Sequence, residues 1–202
     1  MTKNDQIKLK EEFIERLKRC TADRPGAEKM LEYLESTDFF TAPSSAGHHS
    51  NFAGGLTYHS LLVDDCITKL YNTFKGDRMV IRDENSLHIV ALLHDVCKVN
   101  YYVRGTRNVK DKLTGKWIEK RIYEVKDEFP VGHGEKSVIL ILSHMQLTEE
   151  EIMAIRWHMG AYDAAIKGGD RAMYVASEKY PMVTLLHLAD MMASQIYEET
   201  IE

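Results

Sequence analysis

Apolar residues recur at helical spacing along most of this chain. Leu9, Phe13 and Leu17 stand four apart, giving residues 5–20 one apolar face. Pro25 suits a first helical turn and opens a short helix over 25–34. In residues 37–55, TDFFTAPSSAGHHSNFAGG, Pro, Ser and Gly interrupt any period, so a loop is expected. Gly54 and Gly55 at its end suit a close backbone approach where the loop enters the next helix. That helix spans 56–74, with His59, Leu62, Val63, Cys66 and Leu70 on one face. Asp83 or Asn85 caps a fourth, which carries the run SLHIVALLHDVCK and ends near Lys98.

The period then changes. YYVRGTRNVK and KWIEKRIYEV are rich in Tyr, Val, Ile and Trp, with a glycine in the link between them, so a β-hairpin over about residues 100–130 is expected. Helical spacing returns over 134–145. Thr148 with Glu151 forms a capping box for a helix ending near Gly160. A lesser helix covers 170–179, and a last one runs from Pro181 to the C-terminus. The pattern predicts an all-α bundle with an inserted hairpin, in one domain of 202 residues: N-terminal helices over 1–44 and a core over 45–195.

Composition adds little except in one place. Apolar residues make up 44% and charged residues 28%, as in ordinary globular proteins. The aliphatic runs are too short for a membrane helix, and the polar start MTKNDQIKLKEEF predicts no secretory signal. Cys20, Cys66 and Cys97 are too scattered for a disulfide framework or a zinc knuckle, which points to reduced thiols in a cytoplasm. The net charge of −5 is uneven: residues 98–126 hold nine Lys/Arg against three Asp/Glu, leaving −11 elsewhere. That segment, with Arg104 and Arg107, is either a surface that captures an anion or a solvated lysine-rich hairpin. The amphipathic N-terminal segment is a candidate homodimer surface.

The chemistry centres on His94-Asp95. A carboxylate in an apolar run costs several kcal/mol unless a cation or donors compensate it. A divalent metal does so, because imidazole and carboxylate are both good ligands for it. His59, His133, His158 and Asp190 lie in other segments able to complete such a site. The order H…HD…H…H…D resembles the HD-domain superfamily of metal-dependent phosphohydrolases over about residues 45–195. HHSNFAGGLTYHSLL and ALLHDVCKV are similar to stretches of the HD domain in bacterial YhaM-type 3′–5′ exoribonucleases. Those enzymes also carry an OB domain, for which there is no room ahead of this site, so long RNA is not the expected substrate.

The resemblance implies that His59, His94, Asp95 and Asp190 bind one ion. Asp95 would bridge to a second, completed by His133 and His158, with the ions about 3.5–4 Å apart. Mn, Fe, Co, Ni or Zn would serve, and a metal-activated hydroxide would attack a phosphate ester, a phosphodiester or nucleotide. The implied partner is an anionic phosphate-containing small molecule or short oligonucleotide. Alternatively, His133 and His158 contact a substrate phosphate around a single ion. Lys98, a turn after His94, is expected to act on the phosphate, as are Lys136 and Arg156 unless they merely solvate helices. One of His48 and His49 is a candidate donor to substrate. Lys98 stands where some related nucleotide-cleaving enzymes carry a glutamate, which points away from that subgroup. Rival readings are an HD-type di-iron oxygenase and a non-catalytic nucleotide-binding regulator. Crowding of carboxylates further predicts that Asp95→Ala stabilises the metal-free protein.

Overall fold

The computed structural model describes residues 2–48, 50–76, 81–110 and 113–198. The helices are α1 (Lys3–Cys20), α2 (Ala27–Ser36), α3 (Gly55–Phe74), α4 (Glu84–Leu93), α5 (His133–Leu142), α6 (Glu149–Trp157), α7 (Ala164–Lys167), α8 (Ala172–Lys179) and α9 (Pro181–Met192). The chain is mostly helical, with an inserted hairpin, as its periodicity predicts. Strands β1 (Tyr102–Lys110) and β2 (Trp117–Val125) pair antiparallel, from Tyr102 opposite Val125 to Lys110 opposite Trp117. Among the described residues no helix is long and apolar enough to cross a membrane.

Local chemistry accounts for the ends. Thr2 and Thr148 each form a capping box, on α1 and α6. The Asp83 side chain accepts from the Asn85 N–H at the start of α4. Pro181 stands in the first turn of α9, while Pro25 precedes α2, which begins after the left-handed Gly26. The most consequential departure from expectation concerns α4. It ends at Leu93 rather than near Lys98, and Val96–Lys98 forms a separate 3-10 turn. His94 and Asp95 therefore occupy a break between two helical pieces.

Phe13, Leu17, Met30, Leu34, Leu56, Ile67, Leu92, Ile141, Ile155 and Leu186 belong to one buried apolar cluster. The N-terminal helices thus share the core of the remainder. Two glycines set the closest crossings. A Cβ on Gly55 would collide with the Ser50 carbonyl, and one on Gly134 with the Arg156 carbonyl. The second approach brings the start of α5 against the end of α6, placing His133 beside His158.

Candidate metal centre

Four helices and the α4 break deliver the predicted ligands to one buried point. His59 comes from the middle of α3 and Asp190 from α9. His133 is the first residue of α5, and His94 and His158 are the residues that end α4 and α6. The last two use the same local device. His94 Nδ1 donates to the Ala91 carbonyl at 2.8 Å, and His158 Nδ1 to the Ile155 carbonyl at 2.6 Å. Each bond satisfies a carbonyl that a helix end would leave without a partner. A carbonyl only accepts, so each Nδ1 carries hydrogen, and in the neutral ring each Nε2 presents a lone pair inward.

Asp95 lies at the middle, and its two oxygens face different groups. Oδ1 is 2.8 Å from His133 Nε2 and 3.6 Å from His158 Nε2. Oδ2 is 3.4 Å from His94 Nε2, 3.5 Å from His59 Nε2 and 2.5 Å from Lys98 Nζ. His59 Nε2 also lies 3.2 Å from His94 Nε2 and 3.3 Å from Asp190 Oδ1. Three sets of donors each fall within 4.8 Å: His59, His94 and Asp95; His94, His158 and Asp190; Asp95, His133 and His158. His158 Nε2 is fully buried and has no hydrogen-bond partner among the described residues. Such an orphaned atom is costly in a native interior, and a buried ring nitrogen beside the Asp95 and Asp190 carboxylates is where a cation fits. These buried groups can hold a metal ion.

The surroundings reinforce that fit. Burial disfavours charge on Asp95, but Lys98 and the His94 and His133 imidazoles outweigh it and hold its carboxyl well below the usual carboxylate range. Lys98 is likewise pressed by burial, and the Asp95 charge keeps it an ammonium above its ordinary range. Burial lowers His133, leaving a neutral ring suited to ligation. Burial also opposes charge on His59, yet its bonds to Asp190 and Glu198 raise it to about 10. The metal-free centre thus keeps a proton where an ion would compete for the same acceptors. This has a consequence for pH. His59 rises from 6.5 unfolded to about 10 folded, so its contribution to metal-free stability is complete below pH 6.5 and lost as pH approaches 10. With chelator present, the thermal midpoint should fall across that range, and His59→Asn should flatten the fall. Equal slopes in the two proteins would exclude His59 as the source.

Other sequence-predicted residues are placed differently. Lys136 is ion-paired to Asp127 at 2.7 Å, with Nζ 5.0 Å from the centre of the Tyr101 ring. Arg156 pairs with Glu135 and Asp163 and stacks on Trp157. These pairs hold α5, α6 and their flanking loops together. His48 is exposed, its backbone N–H donating to Ser45 Oγ, and His49 lies outside the described residues. Arg104 and Arg107 are exposed on β1, and Arg104 borders a cavity of about 270 Å³ with Tyr102, Tyr123 and Asp38. Cys97 touches His133, but burial and the Asp95 charge push its thiol up to about 12, so it stays protonated.

Sequence reasoning missed Glu198. The structure puts its fully buried carboxylate 2.5 Å from His59 Nδ1. The last helix is expected to run through YEETIE, and no local signal there marks one glutamate for burial. His187, three residues before Asp190 and expected from that spacing to pack in the core or behind the ligands, donates from Nδ1 to the His158 carbonyl at 2.7 Å and braces the end of α6. Compared with protein-family models, curated proteins and solved structures, the chain finds no match, and the centre is known by its geometry: a buried cluster of histidine and aspartate donors able to hold a metal ion.

Proposed function

We propose that this chain is a metal-dependent phosphohydrolase of the HD-domain type, acting on a phosphodiester or nucleotide. The observation that carries the reading is the divided carboxylate of Asp95, with one oxygen toward His133 and His158 and the other toward His59 and His94. One ion would be held by His59, His94, Asp95 and Asp190, and a second by Asp95, His133 and His158. The ions, when bound, supply Lewis acidity and bring the pKa of water from 15.7 to about 7.

This chain's own residues do the rest. Nδ1 bonds from His94 and His158 fix the two rings before any ligand arrives, so little reorganisation accompanies binding. Lys98 keeps its proton and acts as a fixed positive charge beside the reacting phosphate rather than as an acid. His133 is 29% exposed while His94 and His158 are fully buried, so substrate enters on the His133 side. That side continues into residues 127–132 and the hairpin, whose excess of Lys and Arg favours an anion.

The test is elemental analysis of the purified protein, followed by assay of bis-p-nitrophenyl phosphate, nucleotides and short RNA with Mn, Fe, Co, Ni or Zn. About two ions per chain and chelator-sensitive hydrolysis are expected. One ion, unchanged in His158→Ala, would assign His133 and His158 to the substrate. An iron-loaded protein that leaves every ester intact and consumes oxygen would replace the phosphohydrolase with an oxygenase.

A further inference from the structure

The chain beyond α9 has no place in the ligand set, yet it reaches the centre. After Met192 the helix does not stop or continue regularly but widens into a π turn over Ala193–Tyr197. The turn closes with the Glu198 N–H on the Ala193 carbonyl at 2.9 Å. An extra residue in one turn rotates the downstream chain by about 100° relative to an unbroken α-helix. Single π turns of this kind collect at functional sites. Here the rotation carries Glu198 off the surface and onto α3. Lys69 Nζ on α3 lies 4.8 Å from the centre of the Tyr197 ring, which fastens the turn to the same helix.

The Glu198 side chain is then fully buried, with its Oε1 2.5 Å from His59 Nδ1. On its other side, His59 Nε2 faces Asp190 and Asp95. One imidazole is thus gripped at both nitrogens, by Asp190 on α9 and by Glu198 from the turn that extends α9. His94 and His158 fix their rings with backbone carbonyls. His59 sits in the middle of a helix, where the backbone carbonyls are already bonded within the helix, so its Nδ1 needs an acceptor from elsewhere in the chain.

We infer that Glu198 is a positioning residue of the metal centre: its carboxylate accepts from His59 Nδ1–H, fixes the ring orientation and strengthens Nε2 as a metal donor, so that the C-terminal π turn and the ion stabilise one another. The inference rests on the metal-site reading above and extends it to a residue that would not itself touch the ion. Carboxylate–histidine–metal arrangements work in this way, and loss of the outer carboxylate weakens binding by about 10–100-fold. Coupling is reciprocal, so an ion that binds more tightly with the turn in place must hold the turn in place more tightly too.

The test uses Co2+, whose visible absorption reports the geometry of the ligands, with Kd measured at one fixed pH in the full chain. Glu198→Ala should raise Kd about 10–100-fold and alter the spectrum, while Glu198→Gln, which keeps an acceptor oxygen without the charge, should recover part of the loss. In the parent, Co2+ should slow amide exchange of residues 193–198, and this slowing should vanish in Glu198→Ala. If Glu198→Ala melts earlier but binds Co2+ with the parent Kd and spectrum, the residue is only structural and the inference fails. If Glu198→Ala does not fold, a folded Glu198→Gln with the parent Kd overturns it equally. Asp95→Ala separates the two readings. A parent that binds Co2+ no better than Asp95→Ala has no metal centre, whereas a parent that binds beside an unaffected Glu198→Ala leaves the centre standing and removes Glu198 from it.

Discussion

Asp95→Ala will eliminate metal binding and cost the metal-free protein about 3–5 kcal/mol of stability. The first effect follows from position. Asp95 belongs to two of the three donor sets and supplies an oxygen to each side of the centre, so no rotamer of another residue replaces it. The second reverses the expectation, drawn from crowded carboxylates, that the substitution stabilises the metal-free form. Three of the groups facing Asp95 bring N–H hydrogens to it: Lys98, His133 and the protonated His59. Lys98 is only 11% exposed, and alanine at 95 leaves its ammonium buried without a counter-charge. Breaking a buried pair in this way is far more costly than never having had it. Urea unfolding in chelator measures the cost, and Asp95→Ala with Lys98→Met together should recover much of it. A single variant as stable as the parent, or one that retains its metal, would refute the assignment of Asp95 as the hub.

Glu151→Ala, at the end of α6 opposite His158, should also cost about 3–5 kcal/mol, for a similar reason. The carboxylate is fully buried. It accepts from both terminal nitrogens of Arg24 at 2.7 and 3.0 Å, from Ser86 Oγ at 2.6 Å and from the Thr148 N–H at 2.7 Å. These bonds tie the α1–α2 link, the first turn of α4 and the start of α6 to one point. Alanine leaves the Arg24 guanidinium, 14% exposed, with only a distant Asp83 at 3.9 Å among the described residues. Glu151→Gln keeps acceptor capacity on one oxygen and should cost less. A loss below about 1 kcal/mol for alanine, the scale of an ordinary helix cap, would mean that Glu151 acts only in the capping box.

Sequence and structure agree where the deciding physics is local. The apolar spacing of Leu9, Phe13 and Leu17 gives α1 because that face must be buried, and Phe13 and Leu17 are. His94-Asp95 is conspicuous because a carboxylate amid Ile, Val and Leu is expensive wherever the chain folds. The break after Leu93 is not legible, since IVALLHDVCK is continuously helix-compatible and only the inward pull on His94 and Asp95 interrupts it. Lys136 and Arg156 read as free cations because their partners Asp127, Glu135 and Asp163 are chosen by the packing of α5 on α6. Glu198 is hidden for the same reason: nothing within YEETIE encodes the turn that buries it.

Because His94 and His158 end their helices, the C-termini of α4 and α6 both point at the centre. Each such end carries roughly half a negative charge from its aligned peptide dipoles. Added to Asp95, Asp190 and Glu198, and set against the Lys98 ammonium and the protonated His59, they leave the metal-free centre repelling anions. On the proposed function, this imposes an order of addition: the cation enters first and inverts the local field, and only then does a phosphate find the centre attractive. Apparent substrate affinity would then rise with free metal concentration, and the metal-free protein would ignore phosphate altogether.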